Sequence, residues 1–290
     1  MSHSMDSFPP GRPKENDAPR GQEQSDWGAN YRISAEPYYQ ATGDECALFE
    51  AAYAQRLPVL LKGPTGCGKT RFVEHMAWRL KRPLVTVVCN DDTSASDLTG
   101  RWLLDAEGTR WQDGPLTQAA RTGAICYLDE LVEARADTTV VIHPLTDSRR
   151  LLPLDKHNEL LHAHPDFQLV VSYNPSERID HKTLKSSTRQ RFCALAFDYP
   201  DTESEVAIVA RESGVAPEMA SRLVALGVRT RRLQGHGLDE GASTRMLVHA
   251  GTLIRQGVSP AAACRMAVAT PLSDDSEVTV ALLATVDASF

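Results

Sequence analysis

The chain has no basic block. Its 31 lysines and arginines stand against 38 aspartates and glutamates, a net charge of −7, and nowhere do the cations gather into a stripe that would track a phosphate backbone. Nucleic acid is therefore not expected as the principal partner. The sequence also lacks a Cys-x-x-Cys pair. Cys46, Cys67, Cys89, Cys126, Cys193 and Cys264 are scattered, several inside apolar strand-like runs, and read as reduced, buried thiols of a cytoplasmic protein. No apolar stretch approaches the ~18 residues of a membrane span, and the N-terminus shows no charged-then-apolar signal pattern. No membrane association is expected, and no internal repeat is visible. What remains is 290 residues, 42% of them hydrophobic, enough for one large or two small domains with a real core.

Residues 1–30 are dominated by Ser, Pro, Gly, Gln and mixed charges and are expected to be a disordered tail, since so few apolar side chains cannot offset the entropy of ordering. From Tyr31 to Pro200 strand-like runs (Pro58–Leu61, Leu84–Val88, Ala124–Leu128, Leu169–Ser172, Leu195–Phe197) alternate with helical patterns. Such alternation predicts an α/β fold with a parallel sheet covered by helices over 31–200. Beyond Pro200 only helical periodicity is left, at Glu203–Glu212, Pro217–Leu226, Ser243–Gln256 and Pro260–Ala269, with Ser243 and Ser259 at N-cap positions. A smaller all-helical domain is expected over 201–290.

The most informative segment is Gly63, Pro64, Thr65, Gly66, Cys67, Gly68, Lys69, Thr70, with an apolar run before it and a helical pattern, Arg71 to Leu80, after it. This is a P-loop in strand–loop–helix context. Glycines let successive N–H groups face phosphates, the helix adds its positive end, Lys69 reaches the β/γ-phosphates, and Thr70 offers a hydroxyl to Mg²⁺. A nucleoside triphosphate with Mg²⁺ is the expected ligand. Ala124–Leu128 ends in Asp129 and Glu130. Asp129 suits Mg²⁺, and Glu130 suits the activation of a water that attacks the γ-phosphate. The next strand ends at Asn174-Pro175, which would set an amide beside the carboxylates if the two strands are neighbours. Arg189 and Arg191 fall at the expected end of a helix near the sheet edge, where a planar guanidinium can enter a neighbouring subunit's site. Arg245, at the start of a later helix, could reach the γ-phosphate of its own subunit.

In this order the residues resemble the AAA+ ATPases of the MoxR branch. The resemblance implies an αβα P-loop sandwich followed by a helical lid, with Gly63–Thr70 as Walker A, Asp129-Glu130 as Walker B, Asn174 as sensor 1, Arg189 and Arg191 as the arginine-finger segment, and Arg245 as sensor 2. Gly100–Leu116 resembles the hairpin inserted in helix 2, and Arg150–Phe167 the hairpin before sensor 1. Leu61–Phe72, Cys126–Glu130, Ile142–Asp147 and Gly235–Gly241 are similar to the CbbQ/NorQ/GvpN group, although Ser176-Glu177-Arg178 stands where relatives carry Gly-Tyr-Gln. The group implies an ATP-driven ring, expected to be a hexamer. Its CbbQ-type members work with a von Willebrand A adaptor on rubisco as client, whereas its NorQ-type members mature nitric oxide reductase.

A small-molecule P-loop kinase would share Walker A but has little use for Asp129-Glu130 followed by Asn174; a nucleotide-gated assembly factor would share the whole site. Asp97–Gly100 reads as a pore loop or an ordinary loop. Trp102 and Trp111 read as a partner-facing or a cross-strand pair. His162 and His164 are too few for a closed zinc site and read as turn or surface residues.

Overall fold

The computed structural model describes residues 28–106, 108–175, 184–235 and 238–290. The expected tail falls almost wholly on residues 1–27, outside the described residues, as do Ser176, Glu177 and Arg178. Among the described residues five strands form one parallel sheet in the order β2-β5-β8-β1-β9, where β1 is Val59–Lys62, β2 Leu84–Val88, β5 Ile125–Asp129, β8 Gln168–Tyr173 and β9 Cys193–Ala196. Central β8 is buried along its whole length, whereas β9 at the edge is largely exposed, which fits a sheet covered by helices on both faces.

Strand alternation divides the core in two. Leu60, Cys126, Leu128, Leu169 and Val171 point to one face, and Val59, Leu61, Ile125, Tyr127 and Val170 to the other. On the second face Phe72 of helix Lys69–Arg79 packs edge-on to Phe49 of helix Glu45–Ala54, with ring centroids 5.5 Å apart, and lies 5.2 Å from Phe197 beyond β9.

Two antiparallel hairpins are inserted, β3–β4 (Gly100–Asp105 and Gly108–Asp113) and β6–β7 (Leu151–Leu154 and Glu159–His162). They are braced against each other. Arg121 bonds Asp113 of one and Glu159 of the other, the Trp102 indole donates to the Lys156 carbonyl at 2.8 Å, and the His157 ring stacks on Trp111 at 4.9 Å. Trp102 and Trp111 face each other across β3–β4, so a local aromatic pair accounts for them. The segment read as a loop at Asp97–Gly100 is instead largely helical. Residues Ala95–Thr99 form a short helix closed by a Ser94/Asp97 capping box, and Leu98 is fully buried, so the pore-loop reading does not hold.

The helices after β9 bury an apolar cluster of their own around Leu223, Leu226, Leu247 and Val268. Asp201 caps helix Thr202–Ser213, and Ser243 caps helix Thr244–Arg255. Ser259 makes no side-chain cap bond, and the single helix expected over Pro260–Ala269 gives way after Cys264 to a π-helical turn, Arg265–Ala269. Helix Ser276–Asp287, like Glu45–Ala54, lies outside the helical patterns expected from the sequence.

Candidate active site

A cleft of about 620 Å³ runs between the P-loop, the ends of β5 and β8, and helix Thr244–Arg255. This is within the ordinary range for a small-molecule site. The P-loop joins β1 to helix Lys69–Arg79, with Gly66 and Gly68 in left-handed backbone. A side chain at Gly66 would also meet Ser243 Cβ at 2.7 Å, so the start of the later helix rests directly on the loop. Lys69 is nearly buried, and its ammonium donates to the Gly63 and Pro64 carbonyls at 2.7 and 2.8 Å.

Because β5 and β8 are neighbours, their ends converge as the sequence reading required. Asp129 accepts from the Thr70 hydroxyl at 3.3 Å and from the Tyr127 hydroxyl at 2.6 Å. Burial, reinforced by the Asp129 charge, raises the Tyr127 phenol and keeps it a donor. Ser172 of β8 links the Asp129 side chain to the Glu130 backbone: its hydroxyl donates to Asp129 Oδ1 and accepts from the Glu130 amide at 3.1 Å. Glu130 itself sits at φ 56°, a left-handed conformation that a non-glycine residue adopts only when its surroundings enforce it. Asn174, 4% exposed, also lines the cleft and donates from Nδ2 to Thr65 of the P-loop and to Glu240.

Arg245 is exposed and lines the same cleft. Arg189 ends the short helix Ser186–Arg189, and Arg191 follows before β9; both are exposed and neither lines the cleft of its own chain. At the far end the cleft is walled by Tyr38 and Tyr39, with the Arg211 guanidinium 4.2 Å above the Tyr38 ring. Cys67 is buried, and burial raises its thiol, so it does not behave as a reactive group. Among the described residues no group of three or more His, Cys, Asp and Glu is placed to hold a metal ion. None of the described helices is long and apolar enough to cross a membrane.

Sequence reasoning did not single out Tyr127, Ser172 or Glu240. Ser172 was legible in principle: two residues before Asn174 on a strand, it shares that residue's face. Glu240 lies within the Gly235–Gly241 segment that carries the group resemblance, but nothing local tied it to Asn174, 66 residues away.

A P-loop and paired carboxylates at the ends of adjacent parallel strands, roofed by a helical lid, define an AAA+ ATPase. Residues 58–192 match the model described as AAA domain (dynein-related subfamily), and residues 205–289 the model described as CbbQ/NirQ/NorQ C-terminal. The chain is 62% identical to the protein CbbQ of Hydrogenophilus thermoluteolus over 260 residues, 90% of this chain and 97% of that one. It is 58% identical to the denitrification regulatory protein NirQ of Pseudomonas aeruginosa (87% and 97% covered) and 59% identical to NorQ of Paracoccus denitrificans (83% and 90%). A RuvB mutant of Thermotoga maritima shares the fold at TM-score 0.51 and 17% identity, covering 84% of this chain and 70% of that one. The chain belongs to the CbbQ/NirQ/NorQ family of AAA ATPases.

Proposed function

We propose that this ATPase couples hydrolysis to the remodelling of a partner protein, with 31–200 as the catalytic core and 201–290 as the lid. The observation that supports the catalytic reading is Ser172, whose hydroxyl donates to Asp129, itself in reach of the Thr70 hydroxyl, and accepts from the Glu130 backbone amide. Lys69 would exchange its two carbonyl partners for β/γ-phosphate oxygens. Glu130 then accepts a proton from the water attacking in line, and Asn174 and Arg245 contact the γ-phosphate side. One hydroxyl and one carboxylate, Thr70 and Asp129, fit a Mg²⁺ that arrives with the nucleotide and keeps most of its water rather than one held in a protein cage. When bound, that ion would neutralise phosphate charge. The exposure of Arg189 and Arg191 outside their own cleft supports action in trans across a ring, a hexamer in this reading, with a gain of about 10³–10⁵ in rate.

The client we propose is inhibited rubisco, reached through a von Willebrand A adaptor. The identity to CbbQ over nearly the full length of both chains supports it. Nearly equal identity to NirQ and NorQ favours, as second reading, maturation of nitric oxide reductase. The test is rubisco carboxylation after inhibition by a tight-binding sugar phosphate. Recovery should require this protein, ATP and the adaptor together. A complete mixture that leaves rubisco inhibited, while the same chain supports reductase maturation, selects the second reading.

A further inference from the structure

The lid carries a carboxylate onto the end of β8. Glu240 lies in the linker between helices Pro217–Arg231 and Thr244–Arg255, and Asn174 Nδ2 is 2.6 Å from Glu240 Oε1 and 3.1 Å from Thr65 Oγ1. A carboxylate can only accept, so the shorter contact fixes which end of the Asn174 carboxamide faces Glu240: it is the NH₂. Both amide protons are thereby committed, one to the lid and one to the P-loop. Phosphate oxygens also only accept. While Glu240 and Thr65 hold these two protons, the carboxamide has none to offer a γ-phosphate. The bond to Glu240 is moreover charge-assisted, the stronger kind.

Glu240 is fixed to the lid. The Ala242 amide donates to Thr230 at 3.0 Å, Arg231 Nε donates to the Ala242 carbonyl at 2.8 Å, and Gly241 lies so close to the Arg231 backbone that it has no space for a side chain. Residues 241 and 242, next to Glu240, are thereby tied to the helix Pro217–Arg231. Its Arg231 also lies 3.8 Å from the Tyr199 ring, whose hydroxyl reaches the Thr65 carbonyl at 3.4 Å.

We propose that Glu240 is a positioning residue, a latch on the lid that competes with the γ-phosphate for the Asn174 carboxamide, so that Asn174 engages a triphosphate only when the lid withdraws Glu240. The inference rests on the reading of Asn174 as a γ-phosphate contact. A diphosphate makes no such demand on Asn174, so the latch sets the preference between the two nucleotides.

The experiment is calorimetric titration of the full chain with Mg²⁺·ADP and with the β,γ-imido analogue of ATP. In Glu240→Ala the preference for the triphosphate analogue over ADP should rise about tenfold. In Glu240→Gln, which keeps the shape and a neutral acceptor, the rise should be about threefold. Neither substitution should shift the ratio once Asn174→Ala is present. Glu240→Gln also serves where Glu240→Ala fails to fold, wild-type ADP affinity being the check. A ratio that is unchanged or lowered in a folded Glu240 variant overturns the latch, as does the same rise in the Asn174→Ala background. If Asn174→Ala leaves turnover and the ratio unchanged, the assignment of Asn174 itself falls and takes the latch with it.

Discussion

Replacing Glu205 by alanine should loosen the lid and destabilise the protein by about 3–5 kcal/mol, the cost typical of removing one partner from a buried ion pair. Its side chain is 1% exposed. It accepts from both terminal guanidinium nitrogens of Arg231, at 2.8 and 2.6 Å, and from the Thr244 hydroxyl at 2.6 Å. The substitution leaves Arg231, 14% exposed, with the Ala242 carbonyl and the Tyr199 face but no counter-charge. It also frees Thr244, which opens the helix bearing Arg245. At about 2–4 °C per kcal/mol for a chain of this class, the melting temperature should fall by roughly 6–20 °C. Circular dichroism melts at fixed protein concentration give the shift, and nucleotide titration should show weaker binding as Arg245 loses its anchored helix. Glu205→Met/Arg231→Met should recover much of the loss, because an apolar pair leaves no stranded charge. A Glu205→Ala variant within about 1 kcal/mol of wild type, or a double variant no better than the single, would refute the reasoning.

Ser172→Ala should lower turnover about 10–100-fold and stability by about 1–3 kcal/mol, because it removes a bond to the Asp129 carboxylate and the acceptor of the Glu130 amide; steady-state ATPase and a melt read the two effects separately. Arg189→Ala/Arg191→Ala subunits should bind ATP yet hydrolyse poorly, and added Lys69→Ala subunits should restore part of the turnover in mixed rings confirmed by mass. Burial alone would raise the Glu45 carboxyl, but bonds accepted from the Tyr39 hydroxyl and the Thr42 amide hold it below the usual value. The stability it lends is therefore present above the ordinary carboxylate pKa and lost as pH falls through the lowered one. Glu45→Gln should flatten the acid limb of a melting-temperature profile, below the ordinary carboxylate pKa.

The sheet was legible because each strand is a short apolar run and the P-loop fixes the direction of one of them; Leu84–Val88 agrees residue for residue. Helix Ser276–Asp287 escaped although Val278, Leu282 and Val286 fall on one stripe, because exposed Val280 blurs it and the cap, Asp275 accepting from the Glu277 and Val278 amides, was not read as one. The break after Cys264 carries no residue that announces a π-turn. At the site, Lys69, Thr70, Asp129 and Glu130 were readable because their motifs are contiguous. Their supports were not: Ser172 meets Asp129 only through strand pairing, and Glu240 meets Asn174 only through lid packing, 66 residues on.

The central claim, that Glu130 activates water for hydrolysis of ATP held by Lys69, is tested most directly by quantifying bound nucleotide and turnover in Glu130→Gln beside Lys69→Ala. The account predicts that Glu130→Gln retains intact ATP with turnover lost, whereas Lys69→Ala loses binding itself. Wild-type turnover in Glu130→Gln would contradict it.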